Sequence, residues 1–302
     1  MNLPDVFTRN IRQAFREKGE AWLEELPDLL QCAADRWKLT LGEPFLLSYN
    51  YVCAVTRADG TLAVLKIGVP NNELTSEIHT LQVYDGVGAC RIYEADPEAG
   101  MLLLERLTPG QMVLTVKDDE KATAIAAEVM RQTHRPVPAE ASGFLSLRGW
   151  FSELKNVRKL FHGGTGPFPE KSFALAEGLI QELFAEERPN VLLHGDFQHY
   201  NILSSDRGWL IIDPKGVVGP AEYDVTPFMM NPEFTIPEET EGIRRTQRRI
   251  AIFAEHLGFD RQRLLNWCIS FSVLSSYWDM QEDGSGGESA RAWTEIFIKT
   301  KV

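Results

Sequence analysis

Apolar positions run first at a helical period, then at a strand period, then at a helical period again. Within residues 10–37, Ile11, Ala14 and Phe15, and then Leu26, Leu29, Leu30 and Ala33, recur at helical intervals, which predicts one or two amphipathic helices with Pro27 opening the second. Leu47, Tyr49, Tyr51, Cys53 and Val55 alternate with the residues between them, Ala58-Asp59-Gly60 supplies a turn, and Leu62–Ile67 follows, so a hairpin is expected. Residues 73–84 read as a helix, and residues 91–94 and Met101–Glu105 read as strands around the turn-prone Asp96-Pro97-Glu98-Ala99-Gly100. Beyond Thr108-Pro109-Gly110 the pattern is mainly helical, over residues 117–134, 149–161, 169–187, 244–256 and 261–280. The expectation is an α+β chain whose residues 1–107 carry a helical extension, a small antiparallel sheet and a helix, and whose residues 108–302 are mainly helical. Pro109 and Gly110 mark the exit from the first part. Gly284-Ser285-Gly286-Gly287 reads as a loop between two helices near the end of the chain.

The chemistry concentrates between Val191 and Gly219, VLLHGDFQHYNILSSDRGWLIIDPKGVVG, where Asn201 stands five residues after Asp196 and Asp213 twelve after Asn201. Transfer of a phosphoryl group to a hydroxyl needs a carboxylate that orients the hydroxyl and takes its proton, and a divalent cation that offsets charge on the nucleotide. Asp196 suits the first task; Asn201 and Asp213 offer hard oxygen ligands of the kind Mg²⁺ takes. The strand Val191-Leu192-Leu193 leads into Asp196, and a second strand, Trp209-Leu210-Ile211-Ile212, delivers Asp213 opposite it. Asp and Asn are also ordinary turn residues. The whole string, with His194-Gly195 before Asp196 and Pro214-Lys215-Gly216 after Asp213, favours the catalytic reading.

HGDFQHYN followed by IIDPKG resembles the aminoglycoside-type antibiotic phosphotransferases, in particular the branch containing streptomycin 6-phosphotransferases and hydroxyurea kinases, and the likeness runs from about Leu46 to about Trp278. It departs at Gln198, where relatives often have His. The resemblance implies a two-lobed protein-kinase-like fold, ATP and Mg²⁺ as cofactors, and direct transfer to a small-molecule hydroxyl acceptor. It places Lys66, on a strand, against the nucleotide phosphates, with Glu77 as its partner and Glu73, one turn earlier on the same helix face, as the alternative. Ser48 and Asn50 fall in the phosphate-covering loop, which here contains no glycine, and adenine is expected at the backbone of Glu105, Arg106 and Leu107. His194 and Asp224 are expected to hold the catalytic loop, and His199 sits beside it. Lys215 fits either a phosphate contact or loop support. Glu222, Glu282, Asp283 and Glu288 are the acids available to a cationic acceptor. A streptomycin-type aminoglycoside is the leading acceptor, and hydroxyurea or an endogenous sugar or amino alcohol is the alternative. A pseudokinase or interaction module is the rival from another class, against which Lys66, Asp196, Asn201 and Asp213 stand together.

Composition narrows the partners. The 302 residues carry a formal charge of −12, which disfavours a nucleic-acid backbone and favours a cationic ligand. Cys32, Cys53, Cys90 and Cys268 are scattered, without the close pairs of a zinc or redox site, and are expected to be reduced and mostly buried. No apolar run approaches the roughly 20 residues that span a bilayer, and no leader pattern opens the chain. A cytoplasmic location, where ATP is at hand, is the expectation.

Overall fold

The computed structural model describes residues 3–138, 143–232, 237–283 and 287–302. Helices α1 (Asp5–Phe15) and α2 (Glu17–Trp37) precede strands β1 (Leu39–Pro44), β2 (Tyr51–Arg57) and β3 (Leu62–Ile67); α3 (Asn72–Tyr84) then leads to β4 (Ile92–Asp96) and β5 (Met101–Glu105). The five strands pair antiparallel in the order β1-β2-β3-β5-β4. Strand alternation assigns each face of this sheet its own core. On one face Ala63, Leu65, Ile67, Met101 and Leu103 pack with Phe7, Ile11, Trp22, Leu26 and Leu30 of the N-terminal helices. On the other, Leu102 and Leu104 pack with Leu74, Ile78 and Leu81 of α3. Because β5 is buried on both faces, its sequence is a continuous apolar run instead of an alternation.

The rest of the chain comprises β6 (Pro109–Met112), α4 (Asp119–Thr133), β7 (Arg135–Pro136), β8 (Leu145–Ser146), α5 (Leu147–Ser152), α6 (Lys155–Leu160), α7 (Glu170–Ala185), β9 (Asn190–Leu193), β10 (Ile202–Ser205), β11 (Gly208–Ile211), β12 (Val217–Pro220), α8 (Val225–Met230), α9 (Glu239–Leu257), α10 (Arg261–Asp283) and α11 (Glu288–Lys299). Two small sheets, β11-β10-β6 and β7-β9-β12-β8, are set among these helices. An antiparallel sheet toward the N-terminus followed by a mainly helical region is the α+β, protein-kinase-like arrangement.

Several elements differ from the sequence pattern. Pro27 does not open α2 but lies inside it; the break falls at Arg16, whose φ is 52°. Trp22, Leu26, Leu30 and Ala33 are buried along one face of α2, and this packing outweighs the hydrogen bond that Pro27 cannot donate. The hairpin strand starts at Tyr51, not Leu47, and a preceding strand, β1, was not signalled because all of it but Leu39 is exposed. The single helix expected over 149–161 is two short ones, α5 and α6. The Gly284-Ser285-Gly286 part of the expected loop lies outside the described residues. Among the described residues, no helix is long and apolar enough to cross a membrane. Cys53, Cys90 and Cys268 are buried, Cys32 is exposed, and all four are free.

Candidate active site

Lys66 comes from β3 and faces away from the N-terminal helices, toward α3. Asn71 caps that helix by accepting the backbone N–H of Leu74 at 2.9 Å, which fixes where the first turns present Glu73 and Glu77. Lys66 Nζ donates to both oxygens of Glu77, at 2.8 and 2.6 Å, and to Oδ1 of Asp213 at 2.5 Å. Glu77 therefore pairs with Lys66, whereas Glu73 pairs with Lys215. Burial pushes Glu77 up to about 7 against the pull of Lys66. Burial also opposes charge on Asp213, but Lys66 and Lys215 beside it hold its carboxyl well below the usual range, so it is ionised.

The hairpin β10–β11 explains the spacing of the motif. Ile202 pairs with Ile211, and Ile212 N–H donates to Asn201 O at 3.0 Å, so Asn201 and Asp213 emerge side by side from the two strand ends. Asp213 has a positive φ of 56°, a left-handed turn that Asp tolerates better than most residues. Three residues later Gly216, at φ 68°, passes so close to α3 that a Cβ there would lie 2.1 Å from Thr80 Oγ1 and 2.5 Å from Ser76 Oγ. Ser76 Oγ donates to Gly216 O at 2.7 Å, which ties the Asp213 loop to the helix that carries Glu77.

Asp196 sits on the loop after β9, and that loop is held from behind. Asp224, fully buried, accepts the backbone N–H groups of His194 and Gly195, each at 2.8 Å. His194 Nδ1 accepts from Asp196 N–H at 3.1 Å, so its Nε2 carries the proton and donates to Ile212 O at 2.9 Å. Burial lowers the affinity of His194 for a second proton, as a neutral bridge between the two loops requires. Lys215 N–H closes the same gap by donating to His194 O at 2.7 Å. Gln198 Nε2 and Asn201 Nδ2 donate to Asp196 Oδ2 at 2.9 and 3.1 Å. Burial pushes the Asp196 carboxyl up to about 6, with Lys215 pulling it down and Asp213 pushing it further up.

Asp196 and Asp213 open onto a cleft of ≈860 Å³ that Ser48, Asn50, Glu73, Glu77 and Lys215 also line. Glu105, Arg106 and Leu107 are not among its lining residues; the Glu105 backbone N–H donates to Arg91 O at 2.8 Å, and its carboxylate pairs with Arg91 and Arg207. Glu222 is buried in an ion pair with Arg263, with Nε at 3.0 Å. His199 is buried and stacked on Phe228 with centroids 3.8 Å apart, and burial beside Arg249 and Arg245 drives its pKa down. Neither Glu222 nor His199 reaches the cleft. Glu288 is exposed on α11, and the side chains of Glu282 and Asp283 lie outside the described residues. Among the cleft-lining residues missed in the sequence are Phe15 from α1 and Trp150, Glu153, Phe271 and Trp278. Their sole signal was helical context, which says nothing about a common cavity.

A divalent cation fits the donors present. Among the described residues no group of three or more His, Cys, Asp or Glu is disposed to bind a metal ion, so a site rich in protein ligands is not on offer. Asn201 has its Nδ2 occupied by Asp196, and the atom it can offer is the amide oxygen. One carboxylate and one amide oxygen suit Mg²⁺, which keeps waters and takes phosphate oxygens as further ligands.

The family described as aminoglycoside/hydroxyurea antibiotic resistance kinase matches residues 36–284. Streptomycin 6-kinase of Streptomyces glaucescens is 30% identical over 297 residues, which cover 97% of this chain and 95% of the relative. Streptomycin 3''-kinase of Klebsiella pneumoniae is 30% identical over 252 residues, 81% of this chain and 90% of the relative. Among solved structures, a choline/ethanolamine kinase family protein from Mesorhizobium loti superposes with a TM-score of 0.62 at 16% identity, over 90% of this chain and 92% of that one, a likeness of fold.

Proposed function

We propose that this chain, which belongs to the aminoglycoside/hydroxyurea antibiotic resistance kinases and is a phosphotransferase with a hydroxyl acceptor, carries the γ-phosphoryl group of Mg·ATP to a hydroxyl of a streptomycin-type aminoglycoside. The observation that carries the reading is that Asp196 and Asp213 open onto one cleft, with Lys66 from β3 bonded to Asp213 and Asn201 bonded to Asp196. Two relatives named streptomycin kinases support the acceptor class, as does the net charge of −12.

Asp196, steadied by Gln198 and Asn201, orients the acceptor hydroxyl and takes its proton. Lys66, fixed by Glu77, meets the nucleotide phosphates, and Ser48 and Asn50 cover them. Asn201 and Asp213 hold Mg²⁺, whose charge offsets that on the phosphates. Lys215, beside Asp196 on the cleft wall, stabilises the phosphoryl group in transit once its exposed partner Glu73 releases it. Adenine bonds the backbone of Glu105, Arg106 and Leu107, with the N–H coming from Arg106 or Leu107, since that of Glu105 is already taken. Leu107 ends the nucleotide-binding lobe, residues 1–107, and residues 108–302 supply the catalytic loop and acceptor pocket. Transfer is direct and in line, because positioning and charge stabilisation suffice.

The test is ADP release with Mg·ATP and a panel of streptomycin, other aminoglycosides, hydroxyurea and small sugar and amino alcohols. Turnover dependent on streptomycin is expected. Turnover confined to hydroxyurea or to a sugar or amino alcohol would replace the acceptor, and no turnover with any acceptor would reject the reading.

A further inference from the structure

We infer that Trp150, Trp278 and Glu153 form a subsite for a guanidinium or ammonium group of the acceptor, next to the carboxylate that takes its proton; this rests on the small-molecule kinase reading above. Trp150 lies on α5, whose start is set by Ser146 accepting the Gly149 N–H at 3.2 Å, and Glu153 follows at the helix end. Trp278 comes from α10. Its Nε1 donates to Glu153 Oε2 at 3.1 Å, and the two indoles meet edge to face with centroids 5.4 Å apart and planes at 89°.

This aromatic wall begins one residue from the reacting carboxylate. A Cβ placed on Gly195 would lie 3.1 Å from Trp150 Cη2, and Trp150, Glu153 and Trp278 line the same cleft as Asp196. The charges of that cleft are unevenly matched. Glu77 and Asp213 are paired with Lys66, and Glu73 with Lys215. Of the carboxylates lining the cleft, Asp196 and Glu153 form no ion pair among the described residues. Asp196 has its task in the reaction, which leaves Glu153 to answer a positive charge on the ligand.

Indole faces attract cations through the ring quadrupole, and a planar guanidinium can stack on a ring while its N–H groups meet a carboxylate. The Trp278 bond orients Glu153 before the ligand arrives, so less ordering is required on binding. An uncharged acceptor gains the stacking surface and none of the charge match, so the subsite discriminates by charge.

Glu153→Gln isolates that charge, because the glutamine oxygen can still accept from Trp278 Nε1. The wild type, Glu153→Gln and Glu24→Gln, the last removing an exposed acid of α2 that does not line the cleft, are compared with streptomycin and uncharged hydroxyurea at saturating Mg·ATP, and streptomycin binding is titrated calorimetrically on each. Glu153→Gln is expected to lower the streptomycin-to-hydroxyurea ratio of kcat/KM, and the affinity for streptomycin, by about tenfold or more, with the loss in KM and Glu24→Gln like wild type. An unchanged ratio and affinity in Glu153→Gln would overturn the subsite while leaving the kinase intact. Wild type that phosphorylates hydroxyurea and does not bind streptomycin would overturn the subsite and the acceptor assignment together. In a wild type that turns over nothing, the kinase reading fails, and the titration still decides the subsite by whether Glu153→Gln weakens binding.

Discussion

Asp224→Asn alters the catalytic loop without touching the cleft. Asp224 is fully buried, and its two oxygens accept the N–H groups of His194 and Gly195 at 2.8 Å each, with His134 Nε2 at 3.3 Å from Oδ2. Asparagine fills the same volume but offers one oxygen, so its NH₂ must face one of the two backbone donors. The change removes one charge-assisted bond, about 1.5–3 kcal/mol, and leaves a buried N–H unpaired, about 1–3 kcal/mol. The two losses overlap, and His134 can recover part by accepting from the new amide, so a net loss of about 2–4 kcal/mol is expected. Against a total stability of roughly 5–15 kcal/mol, the shift is measurable by urea denaturation monitored through tryptophan fluorescence. Because the same bonds place Gly195 and Asp196, kcat should fall by about 10²-fold, the scale of an ångström-sized misplacement. Nucleotide affinity should hold, since Lys66, Glu77 and Asp213 do not contact Asp224. A variant with wild-type kcat and a stability loss under about 0.5 kcal/mol would refute the assignment of Asp224 as the anchor of the loop.

Arg249 is 1% exposed, grips Asp119 through Nε and Nη2, and donates to the carbonyls of Phe228 and Asn231. Arg249→Ala should cost about 3–5 kcal/mol by stranding Asp119 and those carbonyls, and a midpoint of denaturation within error of wild type would contradict this. With both substrates sub-saturating, turnover should fall tenfold per pH unit below about 6, because the proposed role of Asp196 as base needs its carboxylate, whose pKa burial raises to about 6. A limb near the ordinary Asp value of about 4 would show that Asp196 is not the group titrating.

Local pattern made some of this legible and long-range contact hid the rest. The boundaries of β5 and the body of α3 follow from apolar runs of the right length, as do the strands that lead to Asp196 and Asp213, whereas the β10–β11 register that sets Asn201 beside Asp213 was not signalled. A strand and the next helix put both Glu73 and Glu77 within reach of Lys66; the choice of Glu77 came from the family resemblance, and the structure pairs it with Lys66. By contrast β12 is four residues long and takes its pairing from β9 and, in parallel, from β8, partners distant in sequence. Glu222 reads as an acid available to ligand until Arg263, 41 residues on, is found buried against it. The indole bond between Trp278 and Glu153 spans 125 residues, so the cleft wall it builds leaves no local trace. Pro27 misled because its ordinary preference for a first turn was outweighed by the buried face of α2.

The most direct test of the central claim is single-turnover phosphoryl transfer to streptomycin by wild type and Asp196→Asn, with Mg·ATP bound and the phosphorylated product followed by mass spectrometry. The account predicts a loss of about 10²–10⁴-fold in the transfer rate, with nucleotide affinity retained. Transfer by Asp196→Asn within about tenfold of wild type would contradict Asp196 as the base that takes the acceptor's proton.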